Sequence, residues 1–206
     1  MNEKSNNYEN KTKWVVIITT LTMFLEISFG LSTKSMSLLA DGIHMGSHVL
    51  AIGFSWIAYV FIRKSAIKNN AINSNNVLNL SGYTSGLILL IFAFVILIEA
   101  IKRFYFPENI NFRDAIIVAI IGLVVNIVSA IILHHKEEHS DINIKAAYLH
   151  VLADALTSVS AIIGLYFAYI FNLLLIDTIV AIVSSFIIIN WAVRLIKNSV
   201  QTLIKT

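Results

Sequence analysis

Residues 37–51 read SLLADGIHMGSHVLA and residues 146–158 read AAYLHVLADALTS, and these two stretches decide how the chain folds. Each is apolar, and each carries metal-ligating side chains one helical turn apart: His44 and His48 in the first, His150 and Asp154 in the second. Residues four apart on an α-helix share a face at about 5–6 Å, so each pair presents two donors in one direction. Asp41, His44 and His48 make one polar stripe, and His150, Asp154, Thr157 and Ser158 make another. An Asp at the centre of a membrane helix costs roughly 2.5–3.5 kcal/mol on insertion scales, so such stripes avoid lipid. The economical partner for each stripe is the other.

Outward from these stretches the chain is built for lipid. Of 206 residues, 57% are apolar and 13% charged, and the mean hydropathy is +0.79. Six apolar stretches lie at about 14–33, 36–62, 82–101, 114–133, 146–171 and 173–196, each near the roughly 20 residues a helical crossing needs. Barrel strands of about 10 residues with alternating polarity are not seen. The expectation is an all-α integral membrane protein, a six-helix transmembrane bundle over 14–197. A polar segment at 1–13 and a short tail at 198–206 flank it, with no cytosolic C-terminal domain. No cleavable leader is evident, so the first stretch is expected to persist as a span. Of the 15 Lys and Arg residues, eleven fall on the side of the termini and four on the other, which predicts a multi-pass cell-membrane protein with both termini cytoplasmic. No basic patch interleaved with aromatics points to nucleic acid. The chain has no cysteine, so a metal site must use His, Asp, Glu or backbone groups.

Three imidazoles and a carboxylate make the four-ligand set that tetrahedral divalent metals prefer. Imidazole suits Zn, Co, Ni and Cu(II), whereas Mg, Ca and Mn lean to oxygen. Ligands bind metal only when deprotonated, so the same groups couple metal release to proton uptake, and histidine titrates near the physiological range. The reading is a membrane transporter that exchanges a divalent transition-metal cation for H⁺, needs no cofactor and is not an enzyme. Asp41, Ser47, Thr157 and Ser158 orient the ligands or line the access path. Glu26, mid-way along the first span, is either a proton relay or a neutral carboxyl bonded to a neighbouring helix. Glu99 with Lys102 and Arg103 reads as an interfacial ion pair, and Asn126, Ser129 and Asp177 as polar supports. The GYTSG pair at 82–86 lets two helix backbones approach closely, within the bundle or across a dimer. The Asn-rich stretch at 63–81 is expected to be a mobile cytoplasmic loop.

The stretches SLLADGIHMGSH, GYTSG, VVNIVSA and AAYLHVLADALTSVSAI resemble the cation diffusion facilitator family, most of all its cobalt/nickel efflux branch. The resemblance implies six helices with cytoplasmic termini, a homodimer and proton-coupled export of Co²⁺, Ni²⁺ or Zn²⁺ through His44, His48, His150 and Asp154. Zinc exporters of the family typically carry Asp where this chain has His48, which points to cobalt and nickel. The Gly-rich stretch usual before the third span is replaced here by NAINSNN. Two other readings compete. An intramembrane di-iron enzyme of the hydroxylase or desaturase kind resembles a family with around eight clustered histidines, against six here, three of them in one loop. A passive channel would conduct without proton coupling.

The segment HHKEEHSDINIK at 134–145 is either a solvated loop or a weak collector of cytosolic cations near the pore entrance, as short His-rich tracts can be. If it collects metal, removing His134, His135 and His139 weakens transport at low metal concentration and leaves it intact at saturation. Uptake curves that superimpose at every concentration identify a solvated loop.

Overall fold

The computed structural model describes the backbone of residues 3–67, 74–133 and 142–204, with side chains at 14–47, 49–50, 53–54, 57, 76–132 and 154–204. Six helices follow one another: α1 (Glu3–Thr33), α2 (Met36–Ile67), α3 (Ser74–Tyr105), α4 (Phe112–Leu133), α5 (Ile142–Phe171) and α6 (Leu175–Ile204). There is no strand among the described residues. Five helices contain a described stretch long and apolar enough to cross a membrane. The helices run past the apolar windows on the side of the termini. An established helix adds turns cheaply, so its apolar window marks the lipid-crossing part and not its end. The expected loop at 63–81 is corrected accordingly, because α2 continues to Ile67 and α3 begins at Ser74. The polar segments flanking the bundle are also helical where described, from Glu3 and up to Ile204.

α2 lies at the centre, touching α1, α3, α5 and α6, while α3 packs most extensively on α6 and α4 on α5. The buried residues mix alanine with a few larger apolar side chains. Met36, Ala40, Ile96, Ala100 and Ala181 join α2, α3 and α6, and Leu38, Ala115, Val118, Ala119 and Leu165 join α2, α4 and α5. Lipid tails are as apolar as leucine, so helices associate through close packing, which alanine and glycine permit. Large apolar side chains such as Phe92, Phe94, Ile98, Tyr166, Phe186 and Ile187 face outward. The GYTSG pair acts within the bundle: a Cβ at Gly82 would lie 2.9 Å from Ser199 Oγ, and one at Gly86 would lie 2.8 Å from Ile196 Cγ1, both on α6.

The turns α1–α2, α3–α4 and α5–α6 meet at one end of the bundle, where the polar groups of the helix ends find partners. Lys34, in the left-handed region at φ 62°, reverses the chain after α1. Its carbonyl accepts a hydrogen bond from Arg103, and the Thr33 carbonyl accepts one from Asn111 N at 3.0 Å. Lys34 Nζ also lies 2.9 Å from Glu108 Oε2. That hydrogen bond, with Arg103 and Lys34 charge nearby, holds the Glu108 carboxyl below its ordinary 4.5. Glu99 pairs with Lys102 at 3.5 Å and with Arg103 at 3.8 Å, as the sequence led us to expect. Asn111 caps α4, accepting from Asp114 N at 3.4 Å. Asn172, at φ 51°, closes α5 with bonds from Leu173 N to Ala168 O and Asn172 N to Tyr169 O, a Schellman arrangement.

The most buried of these contacts caps α2 from a helix far away in sequence. Asp177, fully buried in the first turn of α6, accepts from Met36 N at 2.8 Å, Ser37 N at 3.2 Å, Ser35 Oγ at 2.8 Å and the Ser37 hydroxyl. Its carboxylate thus satisfies amide donors at the positive end of the helix dipole. Asp177→Ala should lower the unfolding free energy in mixed micelles by about 3 kcal/mol, because buried donors lose an ionised acceptor, and Asp177→Asn by about half as much. An alanine variant as stable as the parent contradicts the assignment.

Candidate metal centre

The described parts of the polar stripes on α2 and α5 meet at His44 and Asp154. His44 Nε2 lies 3.2 Å from Asp154 Oδ1, and both side chains are about 95% buried, at 4% and 5% exposure. The contact bridges α2 and α5, which pack on one another within the bundle. Around it, Thr157 Oγ1 donates to the Asp154 carbonyl at 2.8 Å, and Asn126 Nδ2 on α4 donates to Ser158 Oγ at 3.2 Å.

Asp41, one turn before His44, is buried with the hydroxyls of Thr157 and Ser158 beside its carboxylate. No hydrogen bond of normal geometry reaches either of its oxygens among the described residues. Ser47 is buried on the same helix. Behind the pair, Glu26 of α1 is fully buried with Asp41 and Asp154 as charged neighbours, and neither carboxyl oxygen has a hydrogen-bond partner among the described residues. It lies directly against Gly122 of α4: a Cβ there would fall 1.8 Å from Glu26 Oε1. A side chain at that position would have to displace the carboxyl end of Glu26.

His48 and His150 lie on α2 and α5, one turn from His44 and Asp154, but their side chains lie outside the described residues. His134, His135 and His139 lie outside them altogether. Among the described residues, no three His, Asp or Glu side chains converge closely enough to hold a metal ion. The described half of the expected set is therefore the His44–Asp154 pair.

Two contributors from α6 were missed by sequence reasoning. The Trp191 ring packs against the His44 imidazole, with centroids 5.0 Å apart and planes tilted by 56°. Ser184 lines a cavity with Ala40, Asp41, His44, Thr157, Ile187 and Ile188. The signal was present as a spacing: Ser184, Ile188 and Trp191 share a face at intervals of four and three.

Residues 13–204 match the family model described as the cation efflux transmembrane domain. The chain is 34% identical over 189 residues to the zinc transporter ZitB of Pectobacterium atrosepticum, covering 92% of this chain and 59% of that protein. It is 32% identical over 183 residues to ZitB of Escherichia coli, covering 89% and 58%. With the cadmium, cobalt and zinc/H(+)-K(+) antiporter of Bacillus subtilis it shares 29% identity over 205 residues, covering 97% and 66%. The chain spans about three fifths of the length of the two zinc transporters. The matched region includes every motif from which the cation diffusion facilitator resemblance was read.

Proposed function

The chain belongs to the cation efflux family, whose members are transporters and not enzymes, and from that premise we propose that it exports divalent transition-metal cations in exchange for protons. His44, His48, His150 and Asp154 are the proposed ligands. The observation that carries this reading is the 3.2 Å separation of His44 Nε2 and Asp154 Oδ1 inside the bundle. Two ligands bound at about 2.0–2.1 Å with a tetrahedral angle between them lie roughly 3.3 Å apart, so the pair is already spaced for one ion. The remaining histidines stand one turn along the same two helices and supply the other two positions in this reading.

Loading and release follow from ligand chemistry. A neutral imidazole and an ionised carboxylate bind the metal, and protons that reach them on the far side displace it. Histidine is the side chain whose charge changes most readily near neutral pH, which suits that exchange. Glu26, which borders Asp41 and the proposed ligand Asp154, is the proposed proton relay. Asp41, Ser47, Thr157 and Ser158 orient the ligands and line the approach. The protein works as a homodimer in the cell membrane with both termini cytoplasmic. The cargo class is Co²⁺, Ni²⁺ and Zn²⁺. Relatives are named for zinc and for cadmium, cobalt and zinc, and His48 in place of an oxygen donor tilts this chain towards cobalt and nickel.

Flux in proteoliposomes tests the reading. An inwardly acidic gradient should drive Co²⁺, Ni²⁺ or Zn²⁺ uptake, and His44→Ala or Asp154→Ala should cost more than the roughly 10–100-fold that loss of a ligand's supporting partner costs. His48→Asp should shift competition towards Zn²⁺, and Glu26→Gln should weaken the dependence on the gradient. Metal flux indifferent to the proton gradient contradicts antiport, and competition unchanged in His48→Asp removes the selectivity assignment.

A further inference from the structure

A third helix reaches the His44–Asp154 pair, and it does so with an aromatic ring. The Trp191 indole of α6 packs on the His44 imidazole, with centroids 5.0 Å apart and planes tilted by 56°. Asp154 Oδ1 of α5 lies 3.2 Å from Nε2 of the same imidazole. His44 is buried, so contacts from α5 and α6 set where its ring stands. Tilted aromatic pairs at this separation attract one another beyond the area they bury.

The helix that carries the indole is anchored on both sides of it. Ile188 and Ala192 are buried against Leu89 and Ala93 of α3. Close approach of the two backbones tightens that seam: a Cβ at Gly86 would lie 3.3 Å from the Ala192 carbonyl oxygen and 2.8 Å from Ile196 Cγ1. Near its first turn, α6 also grips α2, where Asp177 accepts from Met36 N at 2.8 Å. Moving Trp191 away from His44 therefore disturbs the packing of α6 on α3 or its hold on α2. An imidazole resting on an indole so placed resists turning towards α6.

We propose that Trp191 is a positioning residue of the metal centre, one that fixes the span between His44 Nε2 and Asp154 Oδ1 and so selects cargo by ion size. The inference rests on the metal-export reading and adds a determinant separate from the ligands. A tetrahedral zinc ion takes nitrogen and oxygen donors at about 2.0–2.2 Å, which suits a pair spaced as this one is. Cd²⁺ is a larger ion of the same charge, so its donors must stand farther apart. To widen the pair the imidazole must turn, and the indole restricts that turn. Groups that orient a ligating histidine matter at the level of about 10–100-fold in metal affinity. Trp191 gives His44 such support through an aromatic contact, and the support favours the smaller ion.

Equilibrium binding of radiolabelled zinc and radiolabelled cadmium to the purified full chain at fixed pH tests this in Trp191→Leu and Trp191→Phe. Trp191→Leu keeps bulk without a ring and should weaken Zn²⁺ binding about tenfold while Cd²⁺ binding changes far less, so the preference for zinc narrows. Trp191→Phe restores a ring and should restore most of that preference. A zinc-to-cadmium ratio unchanged in Trp191→Leu overturns the proposal, and so does an equal loss for both ions, which marks a residue that only supports the fold. If Trp191→Leu does not fold, the parent chain decides. Substituting Trp14→Phe and Trp56→Phe leaves Trp191 as the sole tryptophan, and Co²⁺ bound at His44 should quench its emission strongly. Emission indifferent to bound Co²⁺ separates the indole from the ligand and overturns the assignment. A parent chain that binds none of these metals brings down the export reading itself, a failure distinct from an unaltered ratio.

Discussion

An ionisable group in the apolar interior of a membrane bundle must find a partner, and His44 and Asp154 find each other. That contact joins the two helices whose sequences carry the other potential ligands. It also explains why α2 is central: a helix bearing Asp41, His44 and Ser47 on one face can bury them only by being surrounded. The lipid-facing positions fall to large apolar residues, and the contacts between helices to alanine, glycine and serine. Close approach is what brings side chains from α1, α4, α5 and α6 within reach of one face of α2.

A fixed face is useful only if the helix carrying it is held. The Asp177 carboxylate grips the first turn of α2 from α6, and the same end of the bundle is tied by Arg103 to the Lys34 carbonyl and by Asn111 to the Thr33 carbonyl. The site thus hangs from an end whose backbone groups are well satisfied. Glu26 is positioned by the opposite device, a vacancy: Gly122 removes a side chain from α4, and the carboxyl of α1 occupies the space.

Much of this was legible in the sequence because helical periodicity is local. The four-residue spacing of His44 with His48 and of His150 with Asp154 defines two stripes, and stripes in lipid have few places to go. The GYTSG pair announced a close helix contact, though not that α6 would be its partner. Asp177 was visible only as a buried acid, since its partners at Ser35, Met36 and Ser37 lie some 140 residues earlier and no periodicity links them. Trp191 and Ser184 were hidden for a related reason: α6 is apolar or small nearly throughout, and which of its faces turns inward depends on packing with α3 and α2. Helix ends on the side of the termini were misjudged because hydropathy records where lipid stops, and backbone hydrogen bonding continues past that level.

The central claim is that α2 and α5 bring nitrogen and oxygen donors to a single ion. X-ray absorption at the metal edge, on the purified chain loaded with Zn²⁺ or Co²⁺, examines that directly. The account predicts one tightly held ion per chain in a four-coordinate shell of imidazole nitrogen with carboxylate oxygen, lost together in His44→Ala and in Asp154→Ala. An oxygen-only shell, or an ion held equally well by both variants, contradicts it.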